Sequence, residues 1–152
     1  MKKIFIAAAL ALTVISSVNA SGVSSANKNV TYKMNESFNR EFAYAENVNW
    51  TEASNNMMRA SFTIDGEKTN AFFNDQGEYL ASTVELSQDK LPSKFKAAIE
   101  KKYGAVAITE ALELQGTDES AYFVRATING AEKLLKGYSN GFVKEVSTKD
   151  LY

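Results

Sequence analysis

The 152-residue sequence contains no cysteine, no histidine and a single proline. Without histidine, the chain lacks the most common general base and the most common metal ligand of proteins. Because cysteine and histidine are both missing, Cys-His and Ser-His-Asp catalytic arrangements are excluded. The absence of cysteine also requires a fold that is held by a packed core rather than by disulfide bonds.

A few serine-lysine pairs are the remaining candidates for a nucleophilic site. Ser93 lies beside Lys94, and Ser87 lies near Lys90, both at the start of a predicted helix. Serine at this place is commonly a helix cap or a turn residue. We therefore expect these serines to be structural.

Acidic residues offer no clear catalytic or metal site either. Glu110 with Glu113 and Asp118 with Glu119 could act as acid-base pairs, but charges at strand edges and hairpin tips are usually solvated. Asp75 lies in a turn-prone stretch that lacks the alternating acids of an EF-hand. The glycines are dispersed and form no phosphate-binding loop. The sequence thus predicts no enzyme activity, no cofactor and no metal site.

The N-terminus has the order of a secretory signal peptide. Lys2 and Lys3 precede an apolar run from Ile4 to Ile15, and small residues end it at Ala20. We expect residues 1–20 to be removed after Ala20, which predicts a periplasmic or secreted protein with no lipid anchor and no membrane span. Removal of the two lysines lowers the 17 basic residues to 15, against 18 acidic ones, for a net charge of −3. This balance favours neither nucleic acid nor an anionic membrane as partner.

The rest of the chain repeats itself. Ile64–Gly66 is followed after eleven residues by Gly77, and Ile128–Gly130 is followed after eleven residues by Gly141. The stretches 48–53 and 106–111 also resemble each other. A period of about sixty residues is too long for a solenoid and favours a duplicated α+β unit.

Periodicity predicts the elements of each unit. After a flexible lead at 21–34, Asn35 is predicted to cap a helix at 36–45, and a second helix is predicted at 93–103. Strands are predicted around residues 48–51 and at 57–64, 68–73, 79–86, 106–114, 121–128, 133–138 and 142–147. The predicted fold class is α+β: two repeats, 35–88 and 89–152, each of one helix and a four-stranded antiparallel meander, forming one extended curved sheet with the helices on one face.

Alternation along the strands divides the side chains between two faces. The core face is predicted to carry Phe62, Ile64, Ala71, Phe73, Leu80, Val84, Val124, Ala126, Ile128 and Leu135. The opposite face is predicted to carry Arg59, Ser61, Phe72, Tyr79, Thr83, Phe123, Arg125, Lys136 and Tyr138. A register shift of one residue would exchange the two sets. Trp50 corresponds to Ile108 in the second repeat, which indicates a core role.

The face opposite the helices is the predicted functional surface. It combines aromatic and arginine side chains, which are enriched at protein-protein hot spots. The predicted partner-binding residues are Arg59, Phe72, Tyr79, Phe123, Arg125 and Lys136. The alternative is an ordinary solvated sheet face that is stabilised by aromatic cross-strand pairs.

Several segments together resemble a known family of small exported bacterial proteins. They are the signal peptide, a short helix leading into Asn47–Trp50, a hairpin through Ala60–Phe62, the stretch Phe72–Glu78, and a helix that opens at Leu91-Pro92 and runs through Ile99–Tyr103. On these segments the chain looks like the PepSY-like, beta-lactamase-inhibitor-protein-like family.

The resemblance implies a helix-and-sheet repeat, an envelope location and no enzyme activity. Inhibitors of this family grip an enzyme with the concave face of the sheet, and they carry disulfides that this chain lacks. The expected function is therefore a non-catalytic exported binding protein, such as an inhibitor or regulator of an envelope enzyme. The alternative is a periplasmic carrier of a small ligand or a metal ion. The identity of the partner and the oligomeric state stay open.

Overall fold

The computed structural model of the protein describes residues 29–53, 56–117 and 119–147. The predicted signal peptide and the lead up to residue 28 lie outside these residues, as does Asp118. The described residues form two α-helices, α1 (Tyr32–Glu41) and α2 (Ser93–Tyr103). The strands are β1 (Glu46–Glu52), β2 (Met58–Ile64), β3 (Glu67–Phe73), β4 (Tyr79–Glu85), β5 (Ala107–Gly116), β6 (Ser120–Ile128), β7 (Ala131–Gly137) and β8 (Val143–Val146).

All eight strands form one antiparallel sheet in the order of the chain. Helix α1 precedes β1, and α2 lies between β4 and β5, after a single 3-10 turn. The prediction of an α+β fold with an antiparallel sheet is confirmed. Among the described residues, neither helix is long and apolar enough to cross a membrane.

Two hairpins close with the turn residues that their geometry requires. Asp65 and Gly66 have φ values of 52° and 79°, and Asn129 and Gly130 have 51° and 76°. Positive φ at both central positions is typical of the type I′ turn, which matches the twist of the strands and favours Asp-Gly and Asn-Gly. The two hairpins are those predicted from the sequence.

Helix α1 begins four residues earlier than predicted. Thr31, rather than Asn35, caps it, and its hydroxyl accepts a hydrogen bond from the backbone N–H of Met34 at 3.2 Å. Met34 is only 3 % exposed and lies in the core with Phe38. The early start places Met34 and Phe38 four residues apart on the helix face that meets the sheet. The end of the predicted lead, residues 32–34, is therefore helical.

Each helix covers its own part of one sheet face. Phe38 of α1 packs on Phe62, Phe73 and Trp50, which confirms the predicted core role of Trp50. Phe95 of α2 is fully buried. Its cluster consists of Leu91, Phe95, Ile99, Ala111, Val124, Ala126, Ile128 and Leu135. Both helices lie on the same side, and within residues 29–53, 56–117 and 119–147 no helix covers the other side of the sheet.

Candidate functional site

We call the sheet face opposite the two helices the open face. Strand register places Arg59, Phe72, Phe123, Arg125 and Lys136 on it, because each alternates with a side chain that packs under a helix. Arg59 is directly opposite Phe72, and Phe123 is directly opposite Lys136. The first pair lies on β2 and β3 and the second on β6 and β7, so β4 and β5 separate them.

Tyr79 does not lie on the open face, and this part of the prediction is wrong. A register irregularity between Phe72 and Phe73 pairs Tyr79 with Phe73, which reverses the alternation at the start of β4. The ring of Tyr79 packs at 5.7 Å from Phe42 and 5.8 Å from Phe73, on the helix side. Burial raises the pKa of the Tyr79 hydroxyl, which donates to Ser82 at 3.0 Å. Tyr79 is a half-buried residue that packs against the core on the helix side.

The phenylalanine rings of the open face are buried rather than displayed. Phe72 is 4 % exposed and Phe123 is 3 % exposed. Phe123 belongs to an apolar cluster that contains no helix residue, together with Leu112, Ala121, Leu134 and Val146. The rings therefore form the floor of the open face, and polar side chains form its accessible surface.

Arg125 is held in place by two carboxylates. Its Nε donates to Glu110 at 3.0 Å, and its Nη1 donates to Glu132 at 2.7 Å. Burial disfavours the charged guanidinium, but the hydrogen bonds to Glu110 and Glu132 outweigh it and raise the pKa of Arg125. The charge of Arg125 is thus already neutralised within the face.

Lys136 is neutralised in a similar way. Its Nζ lies 2.7 Å from Glu119, 5.6 Å from the centre of the Phe123 ring and 5.5 Å from that of Tyr138. Tyr138 donates a second hydrogen bond to Glu119. Burial opposes the charge of Lys136, but the hydrogen bonds to Glu119 and Tyr138 raise its pKa overall. The Lys136 ammonium lies over the Phe123 ring, and its contacts hold it in one position on the open face.

Glu119→Gln should make the free energy of unfolding less sensitive to acid. Hydrogen bonds from Lys136 and Tyr138 lower the pKa of Glu119. A carboxylate with a lowered folded pKa stabilises the protein above its unfolded pKa, and that stability is lost as pH falls through the folded pKa. Wild type should lose this contribution as the pH falls below the ordinary pKa of glutamate and through the lowered pKa of the folded state. The Glu119 side chain is 47 % exposed, and solvent screening limits the effect at neutral pH to below about 1 kcal/mol.

Urea unfolding at neutral and acidic pH checks this expectation. Glu100→Gln, on the exposed side of α2, is the matched control and should keep the acid sensitivity of wild type. Equal acid sensitivity in Glu119→Gln and wild type would contradict the assigned role of Glu119.

Arg59 differs from Arg125 and Lys136 in its partners. Its Nε donates to the Thr51 hydroxyl at 3.1 Å. Within the described part of the chain, no carboxylate lies in ion-pair distance of Arg59. Beside it, the Ser61 hydroxyl donates to the Asn70 amide oxygen at 2.7 Å. Arg59 is therefore a half-buried, oriented guanidinium in polar, uncharged surroundings.

The carboxylates and Thr51 were not predicted as members of the site. Glu110, Glu119 and Glu132 hold Arg125 and Lys136, but their pairing depends on strand register across β5, β6 and β7. Glu110 does alternate in phase with Leu112 and Leu114, so the period of β5 could have placed it on the open face. The sequence contains no comparable signal that Arg125 is the partner of Glu110.

The catalytic candidates from the sequence do not converge. Glu110 binds Arg125 on the open face, whereas Glu113 lies on the helix side and accepts from the Tyr122 hydroxyl at 3.0 Å. Lys90 pairs with Glu67, and this hydrogen bond raises the pKa of Lys90, which is the wrong direction for a general base. In residues 29–53, 56–117 and 119–147, no group of three acidic residues could hold a metal ion.

A cleft of about 420 Å³ lies at the N-terminal end of α1. Its lining mixes apolar and polar side chains: Asn29, Thr31, Met34, Glu52, Ala53, Asn56, Met57, Met58 and Asp75. Its polar members include a hydrogen-bonded pair, Asn29 and Glu52. The described oxygen atoms of this cleft therefore do not form a recognisable metal-binding site.

Comparison with known proteins identifies the fold. The sequence matches no protein-family model and no curated protein. A DUF2874 family protein from Bacteroides uniformis shares 14 % identity, with a TM-score of 0.70 over 76 % of this chain and 89 % of that one. A proposed periplasmic protein from Bacteroides eggerthii has 11 % identity and a TM-score of 0.70, covering 82 % and 89 %.

A third solved structure is a BLIP-like protein from Bacteroides fragilis. It shares 16 % identity with this chain, with a TM-score of 0.64 over 76 % of this chain and 86 % of that one. Sequence identities this low support a common fold and carry no residue-by-residue correspondence. The chain has the fold of these bacterial proteins, and the predicted beta-lactamase-inhibitor-protein-like architecture is confirmed at that level.

Proposed function

We propose that this chain is a non-catalytic, exported binding protein that engages a protein partner through its open face. One observation carries the proposal: the eight-stranded sheet has both described helices on one side. The other side, which no helix of the described residues covers, presents cations that are fixed in position by neighbouring residues. The signal-like sequence at 1–20 and the proposed periplasmic location of a structural neighbour support the bacterial envelope as its location.

The open face has the rigidity that a binding surface needs. Its floor is a buried apolar layer. Arg125 is held by carboxylates of the two adjacent strands, and Lys136 is held by Glu119, just before β6. Side chains that are ordered before binding lose little conformational entropy when a partner docks. Arginine and aromatic side chains are common anchors of protein interfaces. These properties favour recognition of a protein. A carrier would need a set of converging ligand groups, and the described residues contain no such set for a metal ion.

The order of elements suggests how the face arose. A helix followed by four strands occurs at 32–85 and again at 93–146. We interpret the two stretches as copies of one PepSY-like unit. In that case residues at corresponding positions that differ between the copies are the first candidates for partner contacts. Arg59 against Phe123 and Phe72 against Lys136 are such positions.

Site-specific photocrosslinking in the cell envelope tests the proposal. A benzoylphenylalanine at Asn49 or Thr127, both exposed and on the open-face side of the sheet, should give a crosslinked protein adduct. Asn39 on the exposed side of α1 is the matched control and should give none. We expect adducts on one face only, because an interface of standard size buries about 800 Å² on each partner and therefore covers one face of the sheet.

The result is decided by the position of the adducts. Adducts of the same mass from Asn49 and Thr127, absent from Asn39, would support the open face. Adducts from Asn39 alone, or from no position, would contradict the proposal.

A further inference from the structure

The methionines of the described chain all line one cleft, the cleft at the N-terminal end of α1. They are Met34, Met57 and Met58, and the remaining methionine of the sequence is Met1. The sequence contains no cysteine, so these three thioethers are the sulfur atoms of residues 29–53, 56–117 and 119–147. A methionine thioether can take up one oxygen atom and become a sulfoxide, which is polar. The cleft therefore gathers the sulfur atoms that an oxidant would modify.

Met57 differs from the other two methionines in its packing. Met34 and Met58 are 3 % and 4 % exposed and belong to the described core cluster beneath α1. Met57 is 8 % exposed, lines the same cleft and is not a member of that cluster. It directly precedes β2, where its backbone oxygen accepts a hydrogen bond from the N–H of Ala53 at 2.8 Å. An oxidant in the cleft can thus meet the Met57 side chain without displacing α1.

The size and charge of the cleft favour a small neutral oxidant. A water molecule takes about 30 Å³ in the liquid, so a cleft of about 420 Å³ has ample room for hydrogen peroxide, which is little larger. The described lining contains the carboxylates of Glu52 and Asp75 and no lysine or arginine. Negative charge repels anionic oxidants, whereas hydrogen peroxide is neutral.

A sulfoxide is easier to accommodate at Met57 than at the two core methionines. The cleft beside Met57 is lined by the exposed amides of Asn29 and Asn56, so the new oxygen can meet water or an N–H donor there. At Met34 or Met58 the same oxygen would lie among aromatic rings beneath α1, and burying a polar atom without a hydrogen bond is costly. Oxidation of the core pair should therefore require α1 to open first.

We propose that Met57 is a site of oxidation by hydrogen peroxide, modified before Met34 and Met58 and without loss of the fold. The thioether sulfur attacks one oxygen of the peroxide, and the O–O bond breaks. The sulfur is oxidised by two electrons to the sulfoxide, while the proton on the transferred oxygen passes to the leaving hydroxide, which departs as water. The inference concerns the cleft and does not rest on the proposed binding role of the open face.

Treatment of the purified protein with hydrogen peroxide, followed by peptide mass spectrometry, tests the inference. Fragment ions separate Met57 from Met58, which are adjacent in the sequence. We expect one added oxygen on Met57, with rates at Met34 and Met58 at least about tenfold lower, because core sites react only through local opening. In urea, where the chain is unfolded, the three methionines should react at similar rates. The difference then comes from the fold and not from the neighbouring sequence.

Two matched variants and one spectroscopic signal complete the test. Met57→Leu removes the thioether at nearly constant volume and should abolish the fast uptake of oxygen, whereas Met58→Leu should keep it. Trp50 packs against the cluster that contains Met34 and Met58, so its fluorescence reports on the packing beneath α1. Protein that is oxidised at Met57 alone should keep the Trp50 emission and the urea midpoint of the untreated protein.

Each outcome decides for or against the inference. Rapid oxidation confined to Met57, lost in Met57→Leu and silent in Trp50 fluorescence, would support it. Equal rates at the three methionines of the folded protein, or a faster reaction at Met34 or Met58, would overturn it. If Met57 stays unmodified under conditions that oxidise it in urea, peroxide does not reach it through the cleft and the inference fails. A red shift of Trp50 after oxidation of Met57 alone would overturn the claim that the fold is retained.

Discussion

Gly137→Ala is expected to destabilise the protein by about 3 kcal/mol, the upper end for added bulk in a packed core. A Cβ atom at Gly137 would lie 2.1 Å from Cε2 of Phe95 and 2.5 Å from the backbone oxygen of Phe142. Phe95 is fully buried between α2 and the sheet, so its ring has no free space to move into. The methyl group can be accommodated only if α2 moves away from β7.

Urea unfolding followed by circular dichroism measures this effect. Gly66→Ala is the comparison, because a Cβ there meets nothing within 4 Å and the cost comes only from its φ of +79°. That backbone cost is about 1–2 kcal/mol, so Gly66→Ala should be the milder change. Phe95→Leu combined with Gly137→Ala should cost less than the sum of the single changes. Equal stability of Gly137→Ala and wild type would show that α2 does not pack as described.

Strand periodicity predicts most of this fold because the sheet buries one face under helices. Burial requires apolar side chains at every second position, and β2 shows it with Met58, Ala60 and Phe62 inside and Arg59 and Ser61 outside. Helix α2 was predicted with its observed bounds, since Leu91-Pro92 and Gly104 mark its two ends.

Two of the errors have local physical causes. Thr31 and Asn35 are both good helix caps, and only the packing of Met34 under the sheet decides for Thr31. Tyr79 directly precedes Leu80, the extra residue of a β-bulge, and a bulge reverses the alternation without a distinct signature in the apolar run Tyr79–Ala81.

The ion pairs of the open face could not be predicted because they depend on pairing between strands. Arg125 meets Glu110 and Glu132 only because β5, β6 and β7 align in one register. A sequence shows which side chains share a face but not which of them lie opposite each other. Arg125 has two carboxylate partners, whereas Arg59 has none among the described residues, and this distinction comes from the structure alone.

Phe38→Ala is expected to have the largest effect of all, about 3–5 kcal/mol, as for other buried aromatic truncations. The Phe38 ring contacts Trp50 at 5.4 Å and Phe62 at 5.1 Å, and Phe73 lies at 6.3 Å. Helix α1 has ten residues, and an isolated helix of that length is marginal in water. Without Phe38, α1 should detach and melt rather than shift.

Trp50 is the single tryptophan and reports on this event directly, because it packs against Phe38. In Phe38→Ala, its fluorescence should shift to the red in the native state, and the urea midpoint should fall. Phe142→Ala removes a ring that is 50 % exposed and should leave both signals near wild type. Asn39→Ala, on the exposed side of the same helix, controls for changes in helix propensity. An unshifted Trp50 spectrum in Phe38→Ala would mean that contacts other than this aromatic cluster hold α1 on the sheet. The packing of Phe38 would then not determine which face of the sheet α1 covers.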